Sequence, residues 1–170
     1  MEVAEAIRTK RAVRHFSDKV LPQDAVAAIL HAGRRSQSSK NEQAWHFVAV
    51  QDKATLKALA ECGEWAGHLA GAVLGVAILT ADPLAKFQTM FDAGQAAAYM
   101  QLCAWDLGIG SCPASIYDFE KARAILGFPL DLHVRIALSF GYPADRDTLS
   151  RAPKIGGRRP FEAVVHAEKW

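Results

Sequence analysis

Four cationic side chains are crowded into ten residues near the start of the chain. The stretch IRTKRAVRHF, residues 7–16, contains Arg8, Lys10, Arg11 and Arg14, although the formal net charge of the whole chain is only +2. Cations three and four residues apart repel one another if the stretch is helical. One interpretation is a basic turn in solvent. The other is an anion site, because guanidinium groups match phosphate oxygens in a bidentate geometry.

Three other stretches carry residues that suit a ligand site. Residues 36–43, SQSSKNEQ, either form turns that bond their own backbone or make a polar rim around a ligand. In GIGSCPAS, residues 108–115, the glycines match a dinucleotide-binding loop only weakly, and Cys112 is expected to be a buried structural thiol. Near the end, Lys154 and GGRRPF, residues 156–161, could bring further cations to the same anion.

Composition and charge are those of an ordinary soluble globular protein. The 170 residues suit a single domain, residues 1–170, with 51% hydrophobic and 22% charged residues. The small net charge gives no reason to expect nucleic acid as a partner, and the most apolar stretch, residues 69–81, is too short to cross a bilayer. Three cysteines without a CxxC pair and the lack of a signal peptide predict a cytoplasmic protein. Six scattered histidines predict no metal cluster.

Hydrophobic spacing predicts irregularly alternating helices and strands. Helices are expected at residues 2–9, 21–35, 52–63, 91–108 and 118–127. Strands are expected at residues 45–51, 71–81 and 133–141, with a short extended segment at 110–115. The strand at 71–81 is continuously apolar and should be buried on both faces. This order predicts one α+β domain, with a mixed central sheet flanked by helices.

Taken in order, these stretches resemble the FMN-dependent nitroreductase family over nearly the whole chain. Residues 10–16, KRAVRHF, are similar to the family's opening Arg-x-Ser-x-Arg/Lys-x-Phe signature, with Ala12 at the serine. Residues 36–50 resemble its Pro-Ser-x-x-Asn-x-Gln-Pro-Trp-x-Phe loop and strand, with Gln37 and Ala44 at the two prolines. Three later stretches also match: DLGIGSCPASIYD at 106–118, SFGYP at 139–143 and RRPFEAVVHAEKW at 158–170.

The resemblance implies an FMN site built from two subunits. Contacts to the phosphate and ribityl chain would come from the signature and the tail: Lys10, Arg11, Ala12, Arg14, and Arg158 or Arg159. The segment along the flavin ring would be Pro113, Ala114, Ser115 and Ile116. Backbone N–H groups of Ser115 and Ile116, which replace a frequent Glu-Gly pair, would face N5 and O4. The partner subunit would contribute its loop residues Ser38, Ser39 and Asn41.

The same resemblance implies a homodimeric enzyme of nitroreductase-like fold that exchanges C-terminal arms. Such an enzyme takes hydride from NADH or NADPH onto FMN and reduces a small acceptor such as a nitroaromatic or a quinone, without a catalytic nucleophile. Only residues 82–90 link the buried strand to the long helix, where larger members insert a helical excursion, so the site should be open. The alternatives are a flavin-storage or sensing protein and a specialised flavin/oxygen enzyme.

Overall fold

A four-stranded antiparallel sheet forms the centre of the molecule. The structure, a computed structural model, describes residues 1–150 and 157–170. The strands are β1 (Trp45–Val50), β2 (Leu74–Thr80), β3 (Gly110–Ser115) and β4 (His133–Gly141). The helices are α1 (Val3–Thr9), α2 (Gln23–Arg34), α3 (Lys53–Ala60), α4 (Gln88–Asp106) and α5 (Phe119–Leu126). Short 3₁₀ turns lie at Ser39–Asn41, Gly67–Gly71, Arg146–Leu149 and Phe161–Ala163.

The strand order is β1-β2-β4-β3, and all three neighbouring pairs are antiparallel. The sequence predicted a mixed sheet; the parallel pairing that the described residues contain is a single bridge between Ala12 and Ser111. Every residue of β2 is buried, as its continuously apolar sequence predicted, because it is a central strand with helices over both faces.

Two hydrophobic layers cover the sheet and confirm the α+β class. On one face, α2 and α4 pack through Ile29 and Met100 against side chains such as Leu138. On the other face, α3 and α5 pack through Leu56 and Ala122. The α2–α4 contact is close, because Gly33 of α2 lies directly against the side chain of Met100. Among the described residues, no helix is long and apolar enough to span a membrane.

The predicted helix boundaries follow from local capping. Asp52 and Asp118 accept the backbone N–H of Thr55 and Lys121 at the N-termini of α3 and α5. Gly127 ends α5 in the left-handed conformation, with φ 68°. Several boundaries differ from prediction by one to three residues, and α3, for example, ends at Ala60 rather than residue 63. α4 begins at Gln88 rather than residue 91, and β2 begins at Leu74 because residues 67–71 form a 3₁₀ turn.

The C-terminal segment, residues 157–170, is exposed along its whole length. Within the described part of the chain, its hydrogen bonds and ring contacts join residues of the segment itself, such as the tilted ring pair of His166 and Trp170. The expected docking of this segment on another surface therefore does not occur within one chain. Arm exchange in a dimer stays a prediction, and Lys154 lies outside the described residues.

Candidate functional site

The basic stretch, residues 10–16, lies along the edge of the sheet beside β3. The Val13 N–H donates to the Ser111 carbonyl at 2.9 Å, next to the Ala12–Ser111 bridge. A second bridge joins Phe16 to Pro143 just beyond β4. The stretch is therefore extended rather than helical, and its cations are held against the strand that the sequence assigned to the flavin ring.

Two glycines explain why the basic stretch can approach the sheet so closely. Gly110 and Gly141 are cross-strand partners in β3 and β4. A Cβ atom at Gly110 would lie 2.6 Å from the Val13 Cβ, and one at Gly141 would lie 2.9 Å from the Phe16 Cβ. Gly110 of GIGSCPAS thus makes room for a neighbouring segment of protein, whereas Gly108 has a positive φ of 71° and no close neighbour. This agrees with the weak match of these glycines to a dinucleotide-binding loop.

The cations of the stretch have different surroundings. Lys10 is half-buried, and its Nζ donates to Gln101 Oε1 of α4. Burial lowers the pKa of the Lys10 ammonium below its usual range, an effect that the nearby Cys112 opposes. The Arg11 guanidinium donates to the Thr9 carbonyl at 3.0 Å. Arg14 is exposed and reaches an open cleft.

The cleft at Arg14 has a volume of about 930 Å³. Its walls come from the basic stretch, from β3 and from the turn before β2: Arg14, His15, Phe16, Glu64, Trp65, Gly67, His68, Gly71, Pro113 and Ala144. It joins two predicted site residues, Arg14 and Pro113. Glu64, Trp65 and His68 were missed. The 73% exposure of Trp65, a large aromatic side chain beside a cleft, was not visible in the sequence.

His68 links three parts of the cleft. Its Nδ1 lies 2.7 Å from Ser139 Oγ, and that hydroxyl donates to the Cys112 carbonyl at 3.2 Å. Burial lowers the pKa of His68, and the positive charge of Arg14 lowers it further, while the Pro113 carbonyl opposes both. His68 is therefore an uncharged ring at neutral pH, fixed between the 67–71 turn and the two strands.

Cys112 is buried, as predicted. Burial raises the pKa of its thiol, while the nearby Arg14 and Lys10 act in the opposite direction. A buried thiol with a raised pKa is a poor nucleophile. This supports the structural role that the sequence indicated.

The four residues on and after β3 that were predicted to contact the flavin ring differ in exposure and in backbone hydrogen bonding. Pro113 is exposed, whereas Ala114 and Ile116 are buried. The Ile116 N–H donates to the Arg135 carbonyl at 2.9 Å, which corrects the expectation that it faces a ligand. Hydrogen bonds alternate along an antiparallel edge strand, so the Ser115 N–H points away from β4. The contact of Ser115 with a flavin ring stays a prediction, whereas the Ile116 N–H is already used within the sheet.

The polar loop, residues 36–43, contributes to a different pocket. Ser38 and Ser39 line a space of about 350 Å³ together with residues of α4 and the turn before it, including Phe87 and Phe91. Asn41 is exposed in the same loop. These three residues do not line the cleft of Arg14 within one chain. Arg158 and Arg159 are exposed in the C-terminal segment and do not line it either.

No group of three or more His, Cys, Asp or Glu side chains among the described residues could hold a metal ion. The cleft instead combines the Arg14 guanidinium, the exposed ring of Trp65 and the exposed Pro113 of the edge strand β3. Such a set suits a flat, polar, anionic organic group better than an ion.

Comparison with known proteins places these features in context. The sequence model of the Nitroreductase family matches residues 7–66 and 66–142. The chain is 30% identical over 177 residues to an Archaeoglobus fulgidus protein named "Putative NADH dehydrogenase/NAD(P)H nitroreductase", with 99% of both chains covered. It is 25% identical to the FMN reductase (NAD(P)H) of Bacillus subtilis, covering 99% of this chain and 74% of that one. An FMN-dependent nitroreductase of Clostridium difficile R20291 superposes with a TM-score of 0.85 at 26% identity, covering 97% and 98% of the two chains.

Proposed function

The chain belongs to the nitroreductase family, and we propose that it is an FMN-dependent oxidoreductase. It would accept hydride from NADH or NADPH and reduce a small acceptor such as a nitroaromatic or a quinone. Relatives named for FMN and NAD(P)H support this assignment. The protein's three thiols are free, which fits a reducing, cytoplasmic location.

The observation that carries the proposal is the meeting of Arg14 and Pro113 in one cleft of about 930 Å³. A cavity of that size can hold a cofactor. The guanidinium suits a phosphate or a ring oxygen, and the exposed Pro113 offers a flat surface beside the outward Ser115 N–H. The residues present therefore fit FMN.

Bound FMN would supply the redox chemistry, since it accepts hydride and passes electrons on. The protein's contribution is to bind and orient. Arg14 would bind the anionic part of FMN, and Lys10, whose ammonium donates to Gln101, would add a second cation. The Ser115 N–H would supply a fixed dipole toward the flavin ring. No side chain is needed as a nucleophile.

The second half of each site would come from a partner subunit. Ser38, Ser39 and Asn41 lie away from the cleft of their own chain, and Ser38 and Ser39 line a pocket bordered by the strongly exposed rings of Phe87 and Phe91. A homodimer that brings this pocket to the partner's cleft would cover those rings and complete the site. The exposed C-terminal segment, with Arg158 and Arg159, would then reach across the dimer.

The test is purification followed by release of the bound flavin. We expect a yellow protein that releases about one FMN per chain on denaturation and is reduced anaerobically by one of the two nicotinamides. Release of FAD, or no flavin bound after reconstitution, would contradict the proposal. FMN binding without reduction by either nicotinamide would instead indicate the storage or sensing alternative.

A further inference from the structure

Asp92 of α4 is a buried carboxylate that the reaction itself does not use. We propose that Asp92 is a positioning residue for the cofactor site, because it holds the 36–43 loop that presents Ser38, Ser39 and Asn41 to the FMN of the partner subunit. This inference rests on the proposed function. It adds a residue that lies outside the cleft and has no need to touch the cofactor.

The direct contact is a hydrogen bond from the loop backbone. The Ser39 N–H donates to Asp92 Oδ2 at 3.0 Å. Asp92 is only 5% exposed, and among the described residues no cation pairs with it. A buried carboxylate is costly unless hydrogen bonds compensate it, and a bond to an ionised acceptor is stronger than a neutral one. The Ser39 N–H is therefore a main source of that compensation, and it holds the loop to α4.

A second set of hydrogen bonds holds the loop on the other side of Ser38. Gln37 Nε2 donates to Gln95 Oε1 at 2.7 Å, and Gln95 Nε2 lies 3.5 Å from Asp92 Oδ1. Asp92 and Gln95 together thus fix Gln37 and Ser39, the two neighbours of Ser38. We call these two α4 residues the clasp.

The conformation of the loop shows why a clasp is needed. Lys40, Asn41 and Gln43 all have left-handed backbone conformations, with φ of 51°, 55° and 51°. Residues other than glycine adopt this region at a cost, so a run of them persists only where surrounding contacts determine it. Ser38 Oγ accepts the Gln43 N–H at 3.0 Å and closes the loop internally. The clasp then anchors the closed loop to the fold.

A loop held in one conformation before the ligand arrives loses less entropy on binding. Removing the Asp92 carboxylate should therefore weaken FMN binding without any change in the cleft. The effect on the dissociation constant should be about tenfold, as expected for the indirect loss of one hydrogen bond to a charged group.

The first experiment compares FMN affinity, measured by flavin fluorescence quenching, in Asp92→Ala, Asp92→Asn and the control Asp24→Ala. Asp24 is an exposed aspartate of α2 whose side chain, among the described residues, accepts a hydrogen bond from its neighbour Ala25 alone. We expect about tenfold weaker binding for Asp92→Ala, recovery of most of the affinity in Asp92→Asn, whose amide oxygen can still accept, and no change in the control. Hydrogen exchange at the Ser39 amide should accelerate in ligand-free Asp92→Ala. Unchanged affinity and exchange would overturn the proposal.

The second experiment asks which half of the site Asp92 serves, by exchanging subunits between variants. Asp92→Ala mixed with Arg14→Glu should regain flavin binding, because one site per heterodimer is then intact. Asp92→Ala mixed with Asn41→Asp should not, because both changes damage the same half. The opposite pattern would overturn the inference. If Asp92→Ala does not fold, Gln95→Ala replaces it, with the same expected pattern.

Failure of the inference is distinguishable from failure of the proposed function. Wild-type protein that binds no FMN would refute the function. Wild-type protein that binds FMN, with the Arg14 and Asn41 variants behaving as a shared site while Asp92→Ala binds normally, would refute only the positioning role.

Discussion

Arg14 and Arg8 are close in sequence but have different surroundings. Arg14 lines the cleft beside Pro113, whereas Arg8 is exposed in the last turn of α1. The repulsion inferred from the sequence is reduced because the stretch is extended and Lys10 turns toward Gln101. We therefore expect an anion to be bound by individual side chains and not by a general basic surface.

We expect Arg14→Glu to weaken FMN binding by at least tenfold while leaving the fold largely intact. Charge reversal removes a charge-assisted hydrogen bond, worth roughly 1.5–3 kcal/mol, and adds repulsion. Arg8→Glu is the matched control and should have a much smaller effect. The measurement is the FMN dissociation constant of each apoprotein. An equal loss in both variants would mean that the cluster acts only as a basic surface.

His68 predicts a pH dependence of folding stability. Its pKa in the folded protein is lowered by burial and by Arg14, so the native state binds a proton less readily than the unfolded chain does. The stability that His68 contributes is present above its unfolded pKa and is lost as pH falls through its folded pKa. Urea unfolding of the apoprotein between pH 7 and pH 5 should show a steeper loss in wild type than in His68→Gln. Parallel pH profiles would contradict this.

At the scale of secondary-structure elements, the candidate site is positioned by one close contact. In it, the basic stretch packs against the paired glycines of β3 and β4. Val13 and Phe16 lie on Gly110 and Gly141, and this contact sets the distance of Arg14 from Pro113. A side chain at either glycine would push the stretch off the sheet edge. The position of the cations therefore depends on the absence of two Cβ atoms.

Gly110→Ala should lower the free energy of unfolding by about 1–3 kcal/mol, the usual cost of overpacking, and should also weaken FMN binding. The added Cβ would lie 2.6 Å from the Val13 Cβ, an atom that cannot move without its backbone. Gly94→Ala is the control, because a Cβ there meets nothing within 4 Å. Stability in the control should stay equal or rise by up to about 1 kcal/mol, since alanine favours a helix. Denaturant unfolding and flavin titration measure both effects, and identical results for the two variants would count against the contact.

The sequence predicted these elements well where the signal is local. Capping by Asp52 and Asp118 and the helix stop at Gly127 depend on residues near one another in the chain. The burial of β2 was predictable because the strand itself is continuously apolar. The start of α4 was less predictable, because residues 88–90 continue the helix without a capping side chain. The purely antiparallel pairing of the four strands depends on contacts distant in sequence, which periodicity does not report.

The candidate site was predictable only in part, for the same reason. Arg14 and Pro113 were identified from motifs that resemble a family. His68 was not, because its role depends on Ser139, a residue 71 positions away. The Ile116 N–H was expected to face a ligand, but it donates to the Arg135 carbonyl of β4. Local composition cannot show which backbone N–H groups form hydrogen bonds between paired strands.

At the scale of the whole molecule, exposed aromatic rings are found on α4 and on the C-terminal segment, among other places. Phe91 and Tyr99 of α4 are 69% and 44% exposed, and Phe161 and Trp170 of the C-terminal segment are 68% and 100% exposed. Among the described residues, the hydrogen bonds and ring contacts of the C-terminal segment lie within the segment itself. Exposed rings on such a segment and on a long helix are typical of surfaces that meet another subunit. A second copy of the chain would cover both and would bring the 36–43 loop to the partner's cleft.

We therefore predict that the protein works as a homodimer with shared flavin sites, and that subunit exchange will reveal this. Arg14→Glu and Asn41→Asp protein should each bind FMN poorly alone. After mixing and exchange, heterodimers carry one site with both defects and one with neither, so bound flavin and NAD(P)H oxidation should recover to at most about half of the wild-type level per heterodimer. Exchange is verified separately with differently tagged chains. No recovery despite proven exchange would place each site within one chain, and a stable, active monomer would refute the dimer.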